Sequence, residues 1–216
     1  MSPAIAVLVS GRGSNLQVLI DASDAAQANI TLVACNRAKA PALGRAEAAG
    51  IQTLVLLQKD FADREAYDRH LAQQLKEAGI QWVFLAGFMR ILSPAFVRAF
   101  PGRIVNIHPS LLPQFPGLHA QRQALEHGVR ITGATVHFVD EGCDTGAVIA
   151  QGAVPVSPDD DLESLKQRIL VMEHRLYPIV LRWVAQNRLR LEDGRTVLQL
   201  NETESSYLFE PLIQVY

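Results

Sequence analysis

The segment Ile5-Ala6-Val7-Leu8-Val9-Ser10-Gly11-Arg12-Gly13-Ser14-Asn15 decides the fold. Its first five residues form an unbroken apolar run, which is typical of a strand buried on both faces of a parallel sheet. The run ends in a glycine-rich turn. A helical pattern follows from about Ser14 to Gln27, with Leu16, Leu19 and Ile20 near helical spacing. A strand, a tight turn and a helix in this order predict the first unit of an open α/β sheet.

Strands and helices continue to alternate as far as Ile107. This pattern predicts an α/β fold with an open, mostly parallel, doubly wound (Rossmann-like) sheet and right-handed crossovers. The predicted strands are Ile30–Ala34, Thr53–Leu57 and Trp82–Ala86, and the predicted helices are Leu43–Ala49 and Asp63–Ala78, closed by Gly79.

The regular alternation of strand and helix patterns ends after Ile107, and the second half of the chain is predicted to complete the first sheet. Alternation in Ala134–Phe138 predicts a half-exposed strand, paired with another near Ala147–Val154. The longest helical pattern is Asp161–Asn187, which we expect to be broken or bent near Pro178. The remaining predictions are a proline-rich loop from His108 to Pro116, a helix at Gln121–His127 and weak strand signals at Thr196–Leu200.

The charge balance gives no electrostatic signature for nucleic acid or for an anionic membrane surface. The 216 residues include 20 Lys and Arg against 22 Asp and Glu, a net charge of -2. An anionic substrate must therefore be held by a local device, and we expect neither nucleic acid nor a membrane as a partner.

The cysteine content and the start of the chain predict a cytoplasmic protein. Cys35 and Cys143 lie far apart and have no metal-ligand spacing, so two free thiols are expected, although sequence alone does not exclude a disulfide. The start lacks the basic leader of a signal peptide, and the apolar run Ile5–Val9 is too short to span a bilayer. No metal site is predicted.

The glycine-rich turn favours a single phosphate as its ligand. It lies between the first strand and the first helix, where an open α/β sheet binds ligands. Its N–H groups and the helix N-terminus both attract an anion. A dinucleotide fingerprint would need glycine where Leu16 stands, and the Lys-Ser/Thr ending of a triphosphate loop is missing. A tight turn with a helix cap and no ligand is the alternative. Arg12 is expected to be a solvated side chain within reach of the anion, without a catalytic role.

Asn106 and His108 lie two residues apart on a predicted strand, so both side chains point to the same face. An amide N–H and an imidazolium can both donate to the oxyanion formed when an acyl group is transferred to an amine. Equally, the asparagine could cap backbone groups and the histidine could be structural. Ser110 suggests a Ser-His-Asp hydrolase, but the Gly-x-Ser-x-Gly elbow is absent.

The loop Asp140–Gly146 is acidic and carries glycine. A carboxylate from this loop placed against His108 would raise the pKa of the imidazole and help to carry protons from an attacking amine. A solvated loop is the alternative. A calcium loop is not favoured, because the spacing does not match an EF-hand.

Four motifs together resemble the phosphoribosylglycinamide formyltransferases, a family of the folate-dependent formyltransferase superfamily. They are Gly11–Asn15, Ala86–Leu92, Asn106–Pro113 and Asp140–Gly146, and the resemblance extends from about Ile5 to Trp183. It implies transfer of a formyl group from 10-formyltetrahydrofolate, a co-substrate, to the amine of glycinamide ribonucleotide in purine synthesis.

The resemblance also implies roles for individual residues. The catalytic residues are Asn106, His108 and Asp144, with Asp144 raising the pKa of His108 and moving protons through water. Glu173 is the candidate for the ribose hydroxyls. The implied ribonucleotide contacts are Gly11, Arg12, Gly13, Ser14, Asn15, Leu170, Val171, Met172 and Glu173. The implied folate contacts are Arg64, Met89, Arg90, Ile91, Leu92, Asn106, Asp140, Glu141, Gly142, Cys143 and Asp144.

By the same resemblance, residues 1–216 form a single formyltransferase domain, active as a monomer or homodimer. Residues 1–105 are its phosphate- and nucleotide-binding half, residues 106–190 its catalytic and folate-binding half, and residues 191–216 a variable tail. The alternatives are a 10-formyltetrahydrofolate hydrolase, a formyltransferase for another amine, and a nucleotide-binding module without catalysis. The hydrolase and tRNA relatives carry an additional domain that we do not find in this sequence.

Overall fold

The structure is a computed structural model that describes residues 2–199. In that part of the chain it contains nine strands and six α-helices. The strands are β1 (Ala4–Val9), β2 (Asn29–Cys35), β3 (Gln52–Val55), β4 (Trp82–Leu85), β5 (Ile104–His108), β6 (Ile131–Phe138), β7 (Val148–Pro155), β8 (Leu189–Glu192) and β9 (Arg195–Leu198). The helices are α1 (Ser14–Ala26), α2 (Pro41–Ala48), α3 (Arg64–Glu77), α4 (Pro94–Ala99), α5 (Ala120–Glu126) and α6 (Leu162–Ala185).

Seven strands form one sheet in the order β3-β2-β1-β4-β5-β6-β7. The first five are parallel, and β6 and β7 are antiparallel to their neighbours. The chain order reverses between β1 and β4. In an open α/β sheet such a reversal places a ligand crevice outside the carboxyl ends of the strands. The predicted open, mostly parallel α/β sheet is therefore confirmed.

Helices cover both faces of this sheet. Ile5, Val7 and Val9 of β1 pack in a core with α1, α2 and α6, while Ala6 and Leu8 face a second core with α3 and α4. Ile5–Val9 is fully buried, as a strand with helices on both sides requires.

The sequence predicts that α6 is broken or bent near Pro178; the helix is continuous there, so a break is wrong. Tyr177 is fully buried, and its hydroxyl donates a hydrogen bond to the carbonyl of Leu85 in β4 (2.9 Å). Val180 and Leu181 are also fully buried. Packing on both sides of the proline compensates for the one backbone hydrogen bond that it removes.

Strand β6 is buried, so the prediction of a half-exposed strand at Ala134–Phe138 is wrong. Ile131 at its start is exposed, but every residue from Thr132 to Phe138 is buried. The strand is paired on both edges, with β5 and with β7. Ala134 packs in a small core with α5 and α6, and Thr135 on the other face bonds to the proline-rich loop. The polar side chain of Thr135 is thus covered by the proline-rich loop and not exposed to water.

Two elements were not predicted. Helix α4 begins at Pro94, and the Ser93 side chain caps it by accepting from the N–H of Phe96. This Ser-Pro start is a recognisable helix signal. Strand β8 pairs with β9 in a hairpin, and β9 covers most of the predicted strand Thr196–Leu200, of which residue 200 lies outside the described part.

Both cysteines are free thiols, as expected; Cys35 is buried and Cys143 is exposed. Among the helices of residues 2–199, none combines the length and apolar character needed to cross a bilayer.

Candidate active site

The catalytic side chains implied by the resemblance lie on the sheet face that α3 and α4 only partly cover. Val105 and Ile107 of β5 point into the α6 core, so Asn106 and His108 point to the opposite face. The β6–β7 loop brings Asp144 against them, and His108 Nδ1 lies 3.2 Å from Asp144 Oδ2. Gly146 makes this approach possible, since a Cβ there would lie 1.9 Å from the carbonyl oxygen of Phe138.

The hydrogen bonds of His108 define its protonation geometry. Nε2 lies 2.8 Å from the carbonyl oxygen of Phe115, which can only accept, so we assign the proton to Nε2. Nδ1 then faces the Asp144 carboxylate. Burial lowers the pKa of His108, and the Phe115 carbonyl and Asp144 act in the opposite direction by stabilising the imidazolium. The net result is a pKa below the ordinary value of histidine, because burial outweighs the two partners; Asp144 acts to raise this pKa, as the resemblance implies, but does not reverse the shift.

Asp144 is held as a carboxylate. Its Oδ2 accepts the N–H of Gly117 at 2.8 Å. Burial by itself would raise its pKa, but the rings of His137 and His108 and the Gly117 N–H lower the pKa to about 2. A permanent negative charge therefore faces the imidazole at neutral pH.

His137 is a site residue that sequence reasoning missed. Antiparallel pairing places it opposite Asn106, and its Nε2 lies 3.2 Å from Asn106 Nδ2. Its Nδ1 lies 2.8 Å from the carbonyl oxygen of Phe138 and therefore carries a proton, while Nε2 faces both Asn106 Nδ2 and, at 3.6 Å, Asp144 Oδ1. His137 thus links the Asn106 side chain to the Asp144 carboxylate. A histidine on the strand next to an Asn-x-His strand was the available signal, but the register was needed to use it.

The predicted phosphate turn joins β1 to α1. Gly13 is the N-cap of α1 with φ of 76°, and a Cβ at this position would lie 2.7 Å from the Cβ of Ala42 in α2. Neither Ser14 nor Asn15 caps the helix. Instead, Asn15 Nδ2 donates to Glu173 Oε2 at 2.7 Å. The glycine turn and α6, separated by most of the sequence, therefore form one surface.

Glu173 is a buried acid beside this turn. Burial raises its pKa to about 7, although the hydrogen bond from Asn15 acts to lower it. The other implied contacts on α6 differ in accessibility. Val171 is exposed and Leu170 half-buried, whereas Met172 is buried and packs against Gly152 of β7.

The segment Met89–Leu92 is tied to two other parts of the site. The N–H of Met89 donates to the Oγ of buried Ser10 at 2.8 Å. Arg64, at the start of α3, donates from Nη2 to the carbonyl of Leu92 at 2.8 Å. The position of Ser10 in the sequence does not predict this contact, because Met89 lies 79 residues away in the chain.

The side chains of this segment point in different directions. Met89 and Ile91 are 64% and 60% exposed, and they offer apolar surface beside the site. The Arg90 guanidinium instead stacks over Tyr67 at 4.1 Å and lies 3.3 Å from Asp68, so it is engaged within the protein.

The loop Asp140–Asp144 is an exposed turn built on its first residue. Asp140 Oδ1 accepts from the N–H of Gly142 and from Thr145 Oγ1. Glu141 forms an ion pair with Arg98 at 3.1 Å. Cys143 directly precedes Asp144 and is exposed.

Ser110 does not form a nucleophile pair with His108. Its hydroxyl donates to the carbonyl of Gln114 at 2.5 Å, and His108 Nε2 donates to Phe115. The serine hydrolase alternative therefore has no support in the geometry.

The fold and the site define an α/β enzyme with a glycine-rich turn at the switch point of its sheet and an Asn–His–Asp cluster suited to acyl transfer. Residues 4–181 match the model of the formyl transferase family. The chain belongs to that family.

The chain is 48% identical over 192 residues to the phosphoribosylglycinamide formyltransferase of Escherichia coli (strain K12), which covers 88% of this chain and 91% of that protein. It is 58% identical over 178 residues to the trifunctional purine biosynthetic protein adenosine-3 of Drosophila melanogaster. That match covers 81% of this chain but only 13% of the length of the fly protein. The crystal structure of glycinamide ribonucleotide transformylase 1 from Symbiobacterium toebii superimposes with a TM-score of 0.89 at 46% identity, covering 92% of this chain and 95% of that one.

Proposed function

We propose that the protein transfers the formyl group of 10-formyltetrahydrofolate to the amine of glycinamide ribonucleotide, giving formylglycinamide ribonucleotide in de novo purine biosynthesis. The observation that carries this proposal is the 3.2 Å pair of His108 and Asp144 next to Asn106, in a chain with a phosphate turn at its switch point. The printed names of the Escherichia coli and Symbiobacterium relatives support the same acceptor.

The ribonucleotide is held between the glycine turn and α6. The phosphate lies against the backbone N–H groups of Gly11–Asn15, where the N-terminus of α1 adds a favourable dipole. The ribose hydroxyls donate to Glu173, whose carboxylate is already oriented by Asn15. The formation of these bonds offsets the desolvation of the acid.

The folate lies along the segment Met89–Leu92 and the loop Asp140–Asp144. The exposed side chains of Met89 and Ile91 cover its apolar rings, and backbone groups of the two segments bind its polar edges. Arg64 contributes by holding Leu92 and by its positive charge. No metal takes part in this proposal.

The reaction begins when the amine nitrogen attacks the formyl carbon, and the carbonyl electrons move to oxygen. Asn106 Nδ2 and the His108 imidazolium donate to that oxyanion. The ammonium formed on the acceptor loses a proton through water toward Asp144. The oxyanion then re-forms the carbonyl as the bond from the formyl carbon to N10 breaks, and N10 takes a proton from His108. The proton delivered to Asp144 passes to His108, which restores the carboxylate and the imidazolium. The products are the N-formyl amide and tetrahydrofolate with N10–H.

Both nitrogens of His108 have protein partners without substrate, namely Phe115 and Asp144. Donation to the formyl oxygen therefore requires that one of these bonds is exchanged. The Phe115 carbonyl is the partner that can be released, because the charge of Asp144 stabilises the imidazolium.

We further propose that residues 1–216 act as one formyltransferase domain in the cytoplasm, as a monomer or homodimer, with no nucleic acid or membrane partner. Residues 1–105 bind the phosphate and ribose, residues 106–190 carry the catalytic and folate sites, and residues 191–216 are a variable tail. The bond between Asn15 and Glu173 in different halves supports one continuous unit.

The proposal is tested by incubating the purified protein with 10-formyltetrahydrofolate, with and without glycinamide ribonucleotide. Both products are followed by mass spectrometry. Formylated ribonucleotide that appears only with both substrates is the expected result. Formate released without the ribonucleotide would identify a hydrolase, and an unchanged folate in both samples would refute the assigned acceptor.

A further inference from the structure

Helix α2 contacts the glycine turn at consecutive peptide groups. The N–H of Ala42 donates to the carbonyl of Gly11 at 3.2 Å. Arg45, one turn later on α2, donates from Nε to the carbonyl of Arg12 at 3.0 Å. Gly13 packs directly against Ala42, with no room for a Cβ. The turn is therefore held from the side of α2 by two hydrogen bonds and one close contact.

The orientation of these carbonyls determines where the neighbouring N–H groups point. In a trans peptide the C=O of one residue and the N–H of the next point in opposite directions. Because the carbonyls of Gly11 and Arg12 both face α2, the N–H groups of Arg12 and Gly13 both face away from it. Neither N–H has an acceptor among residues 2–199. Two successive free N–H groups of this kind form a concave anion site.

Arg45 is itself held in place by α1. Its Nη1 donates to Gln17 Oε1 at 2.8 Å, and Gln17 Nε2 donates to Asp21 Oδ1 at 2.8 Å. Since the amide nitrogen of Gln17 is used by Asp21, its oxygen is fixed toward Arg45. The guanidinium thus makes two hydrogen bonds, one to the Arg12 carbonyl in the turn and one to Gln17 in α1, and we call this pair of bonds the fork.

We propose that Arg45 is a positioning residue for the phosphate, acting through the backbone of the turn and not by its charge. Its Nε bond turns the Arg12 carbonyl toward α2 and so presents the Gly13 N–H to the ligand. This inference rests on the proposed function for its natural ligand, but the geometry applies to any phosphate monoester bound at the turn.

The test compares Arg45→Met with Arg45→Lys, which keeps the charge but cannot form the fork. We expect both variants to raise KM for glycinamide ribonucleotide about tenfold, the effect of losing an oriented hydrogen bond to an anion. We expect kcat and KM for 10-formyltetrahydrofolate to stay within about twofold. Arg69→Met on α3 is the matched control, since Arg69 forms an ion pair with Glu65 on its own helix.

A second measurement does not depend on activity. The amide ¹H–¹⁵N signals of Arg12 and Gly13 are followed while inorganic phosphate is added. In the unmodified protein both signals should shift on saturation, and in both variants the apparent Kd should rise about tenfold. If Arg45→Met does not fold, Gln17→Leu serves instead, because it removes the bond from Arg45 Nη1 to Gln17 and keeps Arg45 itself. This variant should raise the phosphate Kd about threefold.

The outcomes separate this inference from the proposed function. Full affinity in Arg45→Lys with loss in Arg45→Met would show a charge contact and overturn the positioning role. Unchanged phosphate affinity in all three variants would also overturn it. Phosphate binding that depends on the fork, in a protein that does not formylate glycinamide ribonucleotide, would support the positioning role and refute only the proposed function.

Discussion

At the scale of single residues, the site consists of titratable groups whose pKa values are shifted in opposite directions. Asp144 is kept ionised by the histidines and the N–H around it, with a pKa of about 2. Glu173 is shifted the other way by burial, to about 7. Asp144 therefore carries its negative charge throughout the neutral range. Glu173 ionises more readily when a ligand donates hydrogen bonds to its carboxylate.

His108→Ala should lower kcat by roughly 10²-fold or more, because it removes a donor to the oxyanion. Steady-state rates with both substrates measure this. Ser110→Ala is the control, since the Ser110 hydroxyl donates to the backbone carbonyls of Gln114 and Phe115, and this variant should keep most of the activity. A near-normal rate in His108→Ala would refute the catalytic assignment.

Glu173→Gln should make the protein more stable above neutral pH. The folded protein holds the Glu173 proton more tightly than the unfolded chain, so the contribution of Glu173 to stability falls as pH rises from about 4.5 to about 7. Glutamine removes this loss while still accepting from Asn15. We expect a gain of up to about 3 kcal/mol at pH 8 and almost none at pH 4.

Denaturant unfolding of both proteins at the two pH values measures the difference, and a gain independent of pH would contradict the assignment of the raised pKa. The same variant should bind glycinamide ribonucleotide more weakly at pH 8, since a neutral amide accepts less strongly from the ribose hydroxyls than a carboxylate does. Stability and affinity should therefore change in opposite directions.

At the scale of elements, the phosphate turn depends on the close packing of α1 against α2. Both the positive φ of Gly13 and the proximity of Ala42 are consequences of this packing. The positive φ disfavours a side chain at this position, and the clash with Ala42 excludes one unless the helices shift.

Gly13→Ala should lower the free energy of unfolding by about 2 kcal/mol, from backbone strain and the clash with Ala42. It should also raise KM for the ribonucleotide, because relieving the clash moves the turn away from α2. Gly44→Ala on α2 is the control: a Cβ there meets no atom within 4 Å, and alanine should stabilise by about 0.5–1 kcal/mol. Equal stabilities of the two variants would contradict this account of the turn.

At the scale of the whole molecule, stability should be greatest at the centre of the sheet and least in the terminal hairpin. Strand β1 is fully buried from Ile5 to Val9, with β2 and β4 on its two sides. The β8–β9 hairpin forms a separate two-stranded sheet. It is attached to the rest of the protein by buried Leu189, by the Thr196 hydroxyl bond to the carbonyl of Val148 and by Leu191 near Gly102.

Native-state hydrogen exchange should therefore show β1 amides opening only with global unfolding, and β8–β9 amides opening with a much smaller free energy. Segments with few buried apolar contacts open first. Equal protection of the hairpin and of β1 would show that residues 189–198 belong to the same cooperative unit as the sheet.

The sequence by itself determined the order and type of most elements and the parts of the site that are local in the chain. The apolar run Ile5–Val9, the glycine turn and the Asn-x-His strand end could each be interpreted, because the periodicity of a strand and the conformation of a turn depend on neighbouring residues. The resemblance then added Asp144, Glu173 and the folate contacts.

Only the tertiary structure decided how distant residues meet. Asn15 bonds to Glu173 from a position 158 residues away, Arg45 orients the turn from α2, and His137 reaches Asn106 through the register of β5 and β6. The burial of β6 and the continuity of α6 through Pro178 were also settled by packing, against the local pattern. Such contacts depend on which elements become neighbours in the sheet. The order of the strands is set by the burial of both faces of the sheet at once. The short-range periodicity of the sequence therefore carries no information about that order.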